Sequence, residues 1–218
     1  MSHEKPSSFF SQTQNLYINL DRSNSEDRIY LEKFKMNSFT ACFTTDNHPL
    51  NPTPKGIVRK AIALWLYPRY SMSVYMRLQK YFFVKANNRG DSVSKYLEKY
   101  FYHKNVRRNG LEIASESSIA PGVVFHHTIV TISSRAVIEA DVHIYRNVLL
   151  GSAKGGAPYI KRGAKLCSHS VILGGITVGV EAIVAPGAVV IKDVPDGMIA
   201  AGVPARIIGK VTEENYQF

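Results

Sequence analysis

Two adjacent histidines, His126 and His127, and a glycine-rich stretch, GSAKGGAPY from Gly151 to Tyr159, are the residues of this chain whose types and spacing suit chemistry. Imidazole titrates closest to working pH, so a positioned histidine can take a proton from a hydroxyl whose own pKa lies far above neutrality. A glycine-rich loop can turn backbone N–H groups toward a ligand without the strain that side chains would add. Both features sit at interruptions of an otherwise regular pattern. That pattern defines the elements that must position them.

From Ile160 onward the chain repeats every six residues, in the blocks IKRGAK, LCSHSV, ILGGIT, VGVEAI, VAPGAV and VIKDVP. Each block opens on a branched aliphatic, namely Ile160, Leu166, Ile172, Val178, Val184 and Val190. Four residues later comes a small side chain at Ala164, Ser170, Ala182 and Ala188, with Ile176 as the exception. A six-residue period fits neither the 3.6 of an amphipathic helix nor the 2 of a lone strand. It fits a short strand plus a corner, repeated three times per triangular coil, with coils stacked as parallel strands about 4.8 Å apart.

The same period runs upstream through Ile113, Ile119 and Phe125, then through Ile132, Ile138, Ile144 and Leu150. Phe125 to Ile132 is seven residues and contains the histidine pair. Leu150 to Ile160 is ten and contains the glycine stretch. Breaks in a solenoid are where loops leave the wall, and they commonly carry the binding face.

Composition narrows the class. The 218 residues are enough to bury a core, and Cys42 and Cys167 have neither metal-ligand spacing nor a disulfide framework, which suits a reducing cytoplasm. Cys167 follows the inward Leu166, so packing is its expected role. The first residues, MSHEKPSSFF, lack a signal pattern, and no apolar run approaches the ~20 residues of a membrane span. The formal net charge is +10, and it is not spread evenly. Residues 1–54 carry 5 basic and 6 acidic side chains, residues 55–108 carry 13 and 2, and residues 109–218 carry 9 and 9.

The basic middle segment reads as helices over Gly56–Tyr67 and Ser71–Lys85, separated by Pro68, with Asn87–Gly90 as a stop. Asp91 or Ser92 then caps a third helix whose apolar face is Val93, Tyr96, Leu97, Tyr100 and Phe101. Such helices are expected to cap the open solenoid, whose strand edges would otherwise be bare. Their basic, aromatic-rich character also fits an anionic membrane surface, at the inner face of the cell membrane. No groove-reading motif points to nucleic acid. The expected organisation is residues 1–54 as an extension of unassigned role, 55–109 as a basic helical segment, 110–210 as the solenoid and 211–218 as a tail.

The blocks VGVEAI-VAPGAV-VIKDVP, followed by Ala201-Gly202-Val203-Pro204-Ala205-Arg206, resemble the hexapeptide-repeat acyltransferases. The closest branches are similar to the serine acetyltransferases and to the enzymes that O-acetylate surface polysaccharides, and the likeness covers about residues 110–210. The resemblance implies a left-handed parallel β-helix, a homotrimer, and acetyl-CoA lying between neighbouring solenoids, with no metal. It implies a histidine base two residues past an inward aliphatic, with an acidic partner that fixes its tautomer. Counted from Ile113 and Phe125, those roles fall on His127 and Glu112; counted back from Ile132, the base is His126. Backbone N–H groups near Gly151 and Ser152 are candidates for stabilising the oxyanion. By register, Ser168 and Pro186 match corners that contact acetyl-CoA in the family, and Arg206 and Lys210 match the strand lying along it, where a cation suits phosphate.

Two departures bear on the acceptor. Serine acetyltransferases carry an aspartate before the catalytic histidine, where this chain has His126, and an arginine–histidine pair ahead of the loop proline, where it has Gly156-Ala157 before Pro158. Without that cation an amino-acid carboxylate would be buried unpaired. The expected acceptor is therefore a sugar hydroxyl of a surface polysaccharide or its precursor, with L-serine as the alternative. Two further readings are a zinc hydrolyase using His126/His127, His143 and His169, which lack an H-x4-H pair, and a non-catalytic scaffold.

Overall fold

The computed structural model describes residues 57–153 and 156–216. The expected extension over residues 1–54, with Cys42, lies outside them. Three helices precede the strands: α1 (Ile57–Leu66), α2 (Pro68–Arg89) and α3 (Ser92–Asn109). Pro68 opens α2 rather than merely separating two helices, because its missing N–H falls where a helix has no acceptor to offer. Gly90 closes α2 in the left-handed conformation, at φ 63°. The Asp91 side chain then accepts the Val93 N–H at 3.0 Å and starts α3.

The apolar face expected on α3 is corrected by the structure. Val93, Tyr96 and Tyr100 are exposed, and the buried residues are Ser94, Asn105 and Asn109. Hydrogen bonding decided the orientation. Asn105 Nδ2 donates to the Met72 carbonyl at 3.2 Å, and Asn109 Nδ2 to Asn105 Oδ1 at 2.7 Å. Ser71 Oγ donates to Asn109 Oδ1 at 3.0 Å. Phe101 still packs inward, stacked on Phe82 at 5.7 Å between ring centroids.

The strands wind in five coils. The first is β1 (Leu111–Ile113), β2 (Ser118–Ile119) and β3 (Val124–Phe125). The second is β4 (Val130–Ile132), β5 (Val137–Ile138) and β6 (His143–Ile144). The third is β7 (Val148–Gly151), β8 (Tyr159–Ile160) and β9 (Lys165–Leu166). The fourth is β10 (Val171–Leu173), β11 (Thr177–Val178) and β12 (Ile183–Val184). The fifth holds β13 (Val189–Val190) and β14 (Met198–Gly202), with Val194 bridging to Val178 between them. Then β15 (Ala205–Lys210) folds back antiparallel on β14, and a short helix α4 (Glu213–Tyr216) follows.

Three parallel faces result, ordered β1-β4-β7-β10-β13, β2-β5-β8-β11, and β3-β6-β9-β12-β14 with β15 at the end. This is the parallel β-solenoid that the six-residue repeat predicts. Every inward residue from Ile113 to Val190 is buried, as are Ala164, Ser170, Ala182 and Ala188 at the corners. Corner residues turn in the left-handed region, with Ile129, Arg135, Asn147 and His169 at φ between 57° and 68°.

Helix α2 closes the N-terminal end. Arg77 donates to the carbonyls of Ile119 at 2.7 Å and Ala120 at 2.9 Å. Gln79 Nε2 reaches Ile113 O at 2.9 Å. Lys80 Nζ reaches Ser115 O at 2.8 Å and Ser117 O at 2.9 Å. First-coil carbonyls with no preceding coil to bond thus meet side-chain donors instead.

Candidate active site

The extra residue between Phe125 and Ile132 widens one corner, where the third face turns into the first. At this corner Asn147 N–H donates to Ile129 O at 2.8 Å, His169 N–H to Arg146 O at 2.9 Å, and Gly187 N–H to Ser168 O at 3.0 Å. Successive corners therefore stack into one edge. Counting two residues past each inward side chain places His127, Arg146, Ser168 and Pro186 in a column along it. His127, Arg146 and Pro186 are exposed and Ser168 is half-buried. Among the described residues neither ring nitrogen of His127 is engaged within the chain.

His126 is placed quite differently. It starts a ladder on the third face, one residue past the inward positions, that continues through Tyr145 and Cys167. Its ring stacks on Tyr145 at 4.3 Å and 8°. Its Nε2 is 2.8 Å from Nδ1 of His143. With one nitrogen so occupied and one ring face covered by Tyr145, His126 is a wall of the corner. Burial pushes the Tyr145 phenol above its usual range, with the neighbouring Cys167 adding to the shift, and burial likewise raises the Cys167 thiol against the pull of Lys165. Tyr145 was not singled out from the sequence, and His143 entered only as a candidate zinc ligand. The signal was available, since residues 126, 145 and 167 share one offset from inward positions.

Glu112 faces outward from β1, beside Thr131 of β4, and accepts a hydrogen bond from Tyr102 Oη at 3.3 Å. Its recorded partner is this phenol rather than His127. Burial first, then the Glu112 carboxylate, holds the Tyr102 phenol above its usual range.

The glycine stretch leaves the opposite edge of the first face. Each strand there runs from the His127 edge to the Gly151 edge, three to four residues at about 3.3 Å each, so the two lie on the order of 12 Å apart in one chain. Ala153 and Gly156 exchange backbone hydrogen bonds of 3.0 and 3.1 Å across the loop. Ser152 Oγ donates to Ser134 O at 3.1 Å and lies 2.9 Å from Ser133 Oγ. Gly151 has a packing reason of its own, because a Cβ there would stand 2.6 Å from Leu173 Cδ2. Arg206 and Lys210 are exposed on β15, and Arg206 Nη1 donates to Ala205 O at 3.0 Å. Among the described residues no three His, Cys, Asp or Glu side chains gather to hold a metal; His169 is engaged instead by Asn147 Nδ2 at 2.9 Å.

Against models of protein families the chain has no match. Against characterised proteins it is 40% identical over 105 residues to the serine acetyltransferase of Escherichia coli K12, covering 46% of this chain and 38% of that protein. It is 39% identical over 111 residues to serine acetyltransferase 4 of Arabidopsis thaliana, covering 49% and 31%. The chain is similar to serine acetyltransferases. It spans roughly two-fifths or less of those relatives' length. Among solved structures, a serine acetyltransferase in complex with CoA superposes with a TM-score of 0.65 at 25% identity, over 88% of this chain and 83% of that one. The soybean serine acetyltransferase apoenzyme gives 0.66 at 25% identity, over 93% and 84%.

These relatives overturn the expectation of polysaccharide O-acetylation and of a sugar acceptor. That expectation drew on His126 and Gly156-Ala157. Both are losses of particular contacts, and a lost contact does not by itself specify another acceptor.

Proposed function

We propose that this chain is an acetyl-CoA-dependent O-acetyltransferase of the serine acetyltransferase kind, with L-serine as acceptor and His127 as general base. The observation that carries the reading is an exposed imidazole, without a partner among the described residues, at the widened corner of a hexapeptide coil. The likeness to serine acetyltransferases supplies the reaction.

His127 takes the hydroxyl proton as the serine oxygen attacks the thioester carbonyl. The tetrahedral intermediate collapses by breaking the C–S bond, and the protonated imidazole returns the proton to the departing CoA thiolate. A thioester is an activated donor, so the base carries most of the burden, typically 10²–10⁴ in rate. Backbone N–H groups near Gly151 and Ser152 of a neighbouring subunit would meet the oxyanion, which fits their distance from His127 in one chain. In that homotrimer, Ser168, Pro186, Arg206 and Lys210 line the CoA groove, and Glu112 orients the base once it turns from Tyr102. The transfer unit is residues 110–210, with 55–109 as its cap, and the enzyme works in the cytoplasm, where acetyl-CoA is available.

The missing loop cation leaves the serine carboxylate to another partner. Arg146, one coil from His127 on the same edge, is the cation the register offers. The test is turnover of acetyl-CoA by the purified full chain with L-serine, read as thiol release and as O-acetylserine by mass spectrometry. Serine-dependent release is expected. Release that ignores serine would overturn the reading.

A further inference from the structure

Among the described residues, helix α1 leaves an apolar face without a partner. It buries Ala63 against Tyr70, Val74 and Tyr75 of α2. Its other side exposes Val58 (67%), Ile62 (48%), Trp65 (73%) and Leu66 (51%). At 3.6 residues per turn these four fall within about 100° of the helical wheel, with Arg59 at its border.

Charge indicates what covers it. Residues 57–89 contain seven Lys or Arg and no Asp or Glu, and of the seven Arg77 and Lys80 are taken up by carbonyls of the first coil. A second copy of the same face would bring like charges together. Residues 1–54, at 5 basic and 6 acidic side chains, do not offset it either. An apolar stripe with Trp65, bordered by Arg59 on a segment that carries no acidic residue, is complementary to an interface that is apolar below and anionic above. No described helix is long and apolar enough to cross a membrane, so the contact is peripheral.

We infer that α1 docks on anionic lipid surfaces, with Trp65 inserted at the headgroup boundary and Arg59 and its basic neighbours against the lipid phosphates. The inference is independent of the proposed acetyl transfer.

Trp65 is the one tryptophan in the chain, so its emission reports the contact directly. With the full chain, vesicles containing phosphatidylglycerol should shift the emission to the blue and co-sediment the protein, while phosphatidylcholine vesicles do neither. Each basic residue near an anionic surface contributes roughly a five-fold change in partitioning. Arg59→Glu should therefore weaken binding by at least that factor, and 0.5 M salt should largely release the protein. Ile62→Ser with Leu66→Ser keeps the probe and should abolish the shift. Three results would overturn the inference: no shift with anionic vesicles, an equal shift with neutral ones, or a shift given by duplex DNA alone. So would emission already blue without lipid, which assigns the face to another part of the chain or, if dilution reverses it, to a second copy.

Discussion

His126 Nε2 sits 2.8 Å from His143 Nδ1, one coil away, while His127 next to it has no partner in the chain among the described residues. One imidazole of the pair is tied to the next coil and the other is exposed. His127→Ala should lower kcat by about 10²–10⁴-fold while acetyl-CoA still binds by calorimetry. His126→Asn, whose amide can still meet His143, should cost far less. Equal losses in the two variants would contradict this division of roles.

Arg146 lies one coil from His127 along the same edge. A charge-assisted bond to a carboxylate contributes about 1.5–3 kcal/mol, so Arg146→Ala should raise KM for L-serine about 10- to 100-fold. KM for acetyl-CoA should not move, and serinamide, which lacks the carboxylate, should be used equally by both proteins. An unchanged serine KM would remove Arg146 from acceptor recognition without touching the acetyl-transfer reading.

Lys80 is pushed down to about 8, chiefly by burial, with Glu116 opposing and Arg77 adding to the shift. The unfolded chain keeps this proton up to the ordinary lysine pKa of about 10.5, whereas the folded chain releases it near 8. Burying the charge therefore costs stability below pH 8, and the cost is relieved as pH rises toward 10.5, by up to about 3 kcal/mol. Urea unfolding of the wild type and Lys80→Met should diverge in favour of the wild type between pH 8 and 10. A constant difference across that window would refute the assignment.

Gly151 and Leu173 face each other at a distance that leaves no room for a Cβ. Gly151→Ala should destabilise by about 1 kcal/mol, the low end for overpacking, because the end of the half-buried Leu173 side chain can move aside. Leu173→Ala in the same chain should recover part of that loss, and a thermal-melt double-mutant cycle measures the coupling. Strictly additive effects would mean that the glycine serves the loop's conformation and not this contact.

The six-residue period alone determined the solenoid, its inward residues and both breaks, because a strand-and-corner repeat demands one buried aliphatic per block wherever it occurs. The capping run Asn87–Asp91 was equally legible, since its turn chemistry is local. Which face α3 buries was not, because Asn105 and Asn109 are polar by composition and inward only by virtue of bonds to Met72 and Ser71. Nor could the sequence choose between His126 and His127, whose counts from either side of the break disagree by one residue. The tertiary structure gives the two rings different surroundings: the coil above the break carries His143 and Tyr145, which engage His126, while His127 has no partner among the described residues. Stacking brings together residues 17 apart in the chain, a relation set by packing between coils and not by any property of the segment that holds the pair.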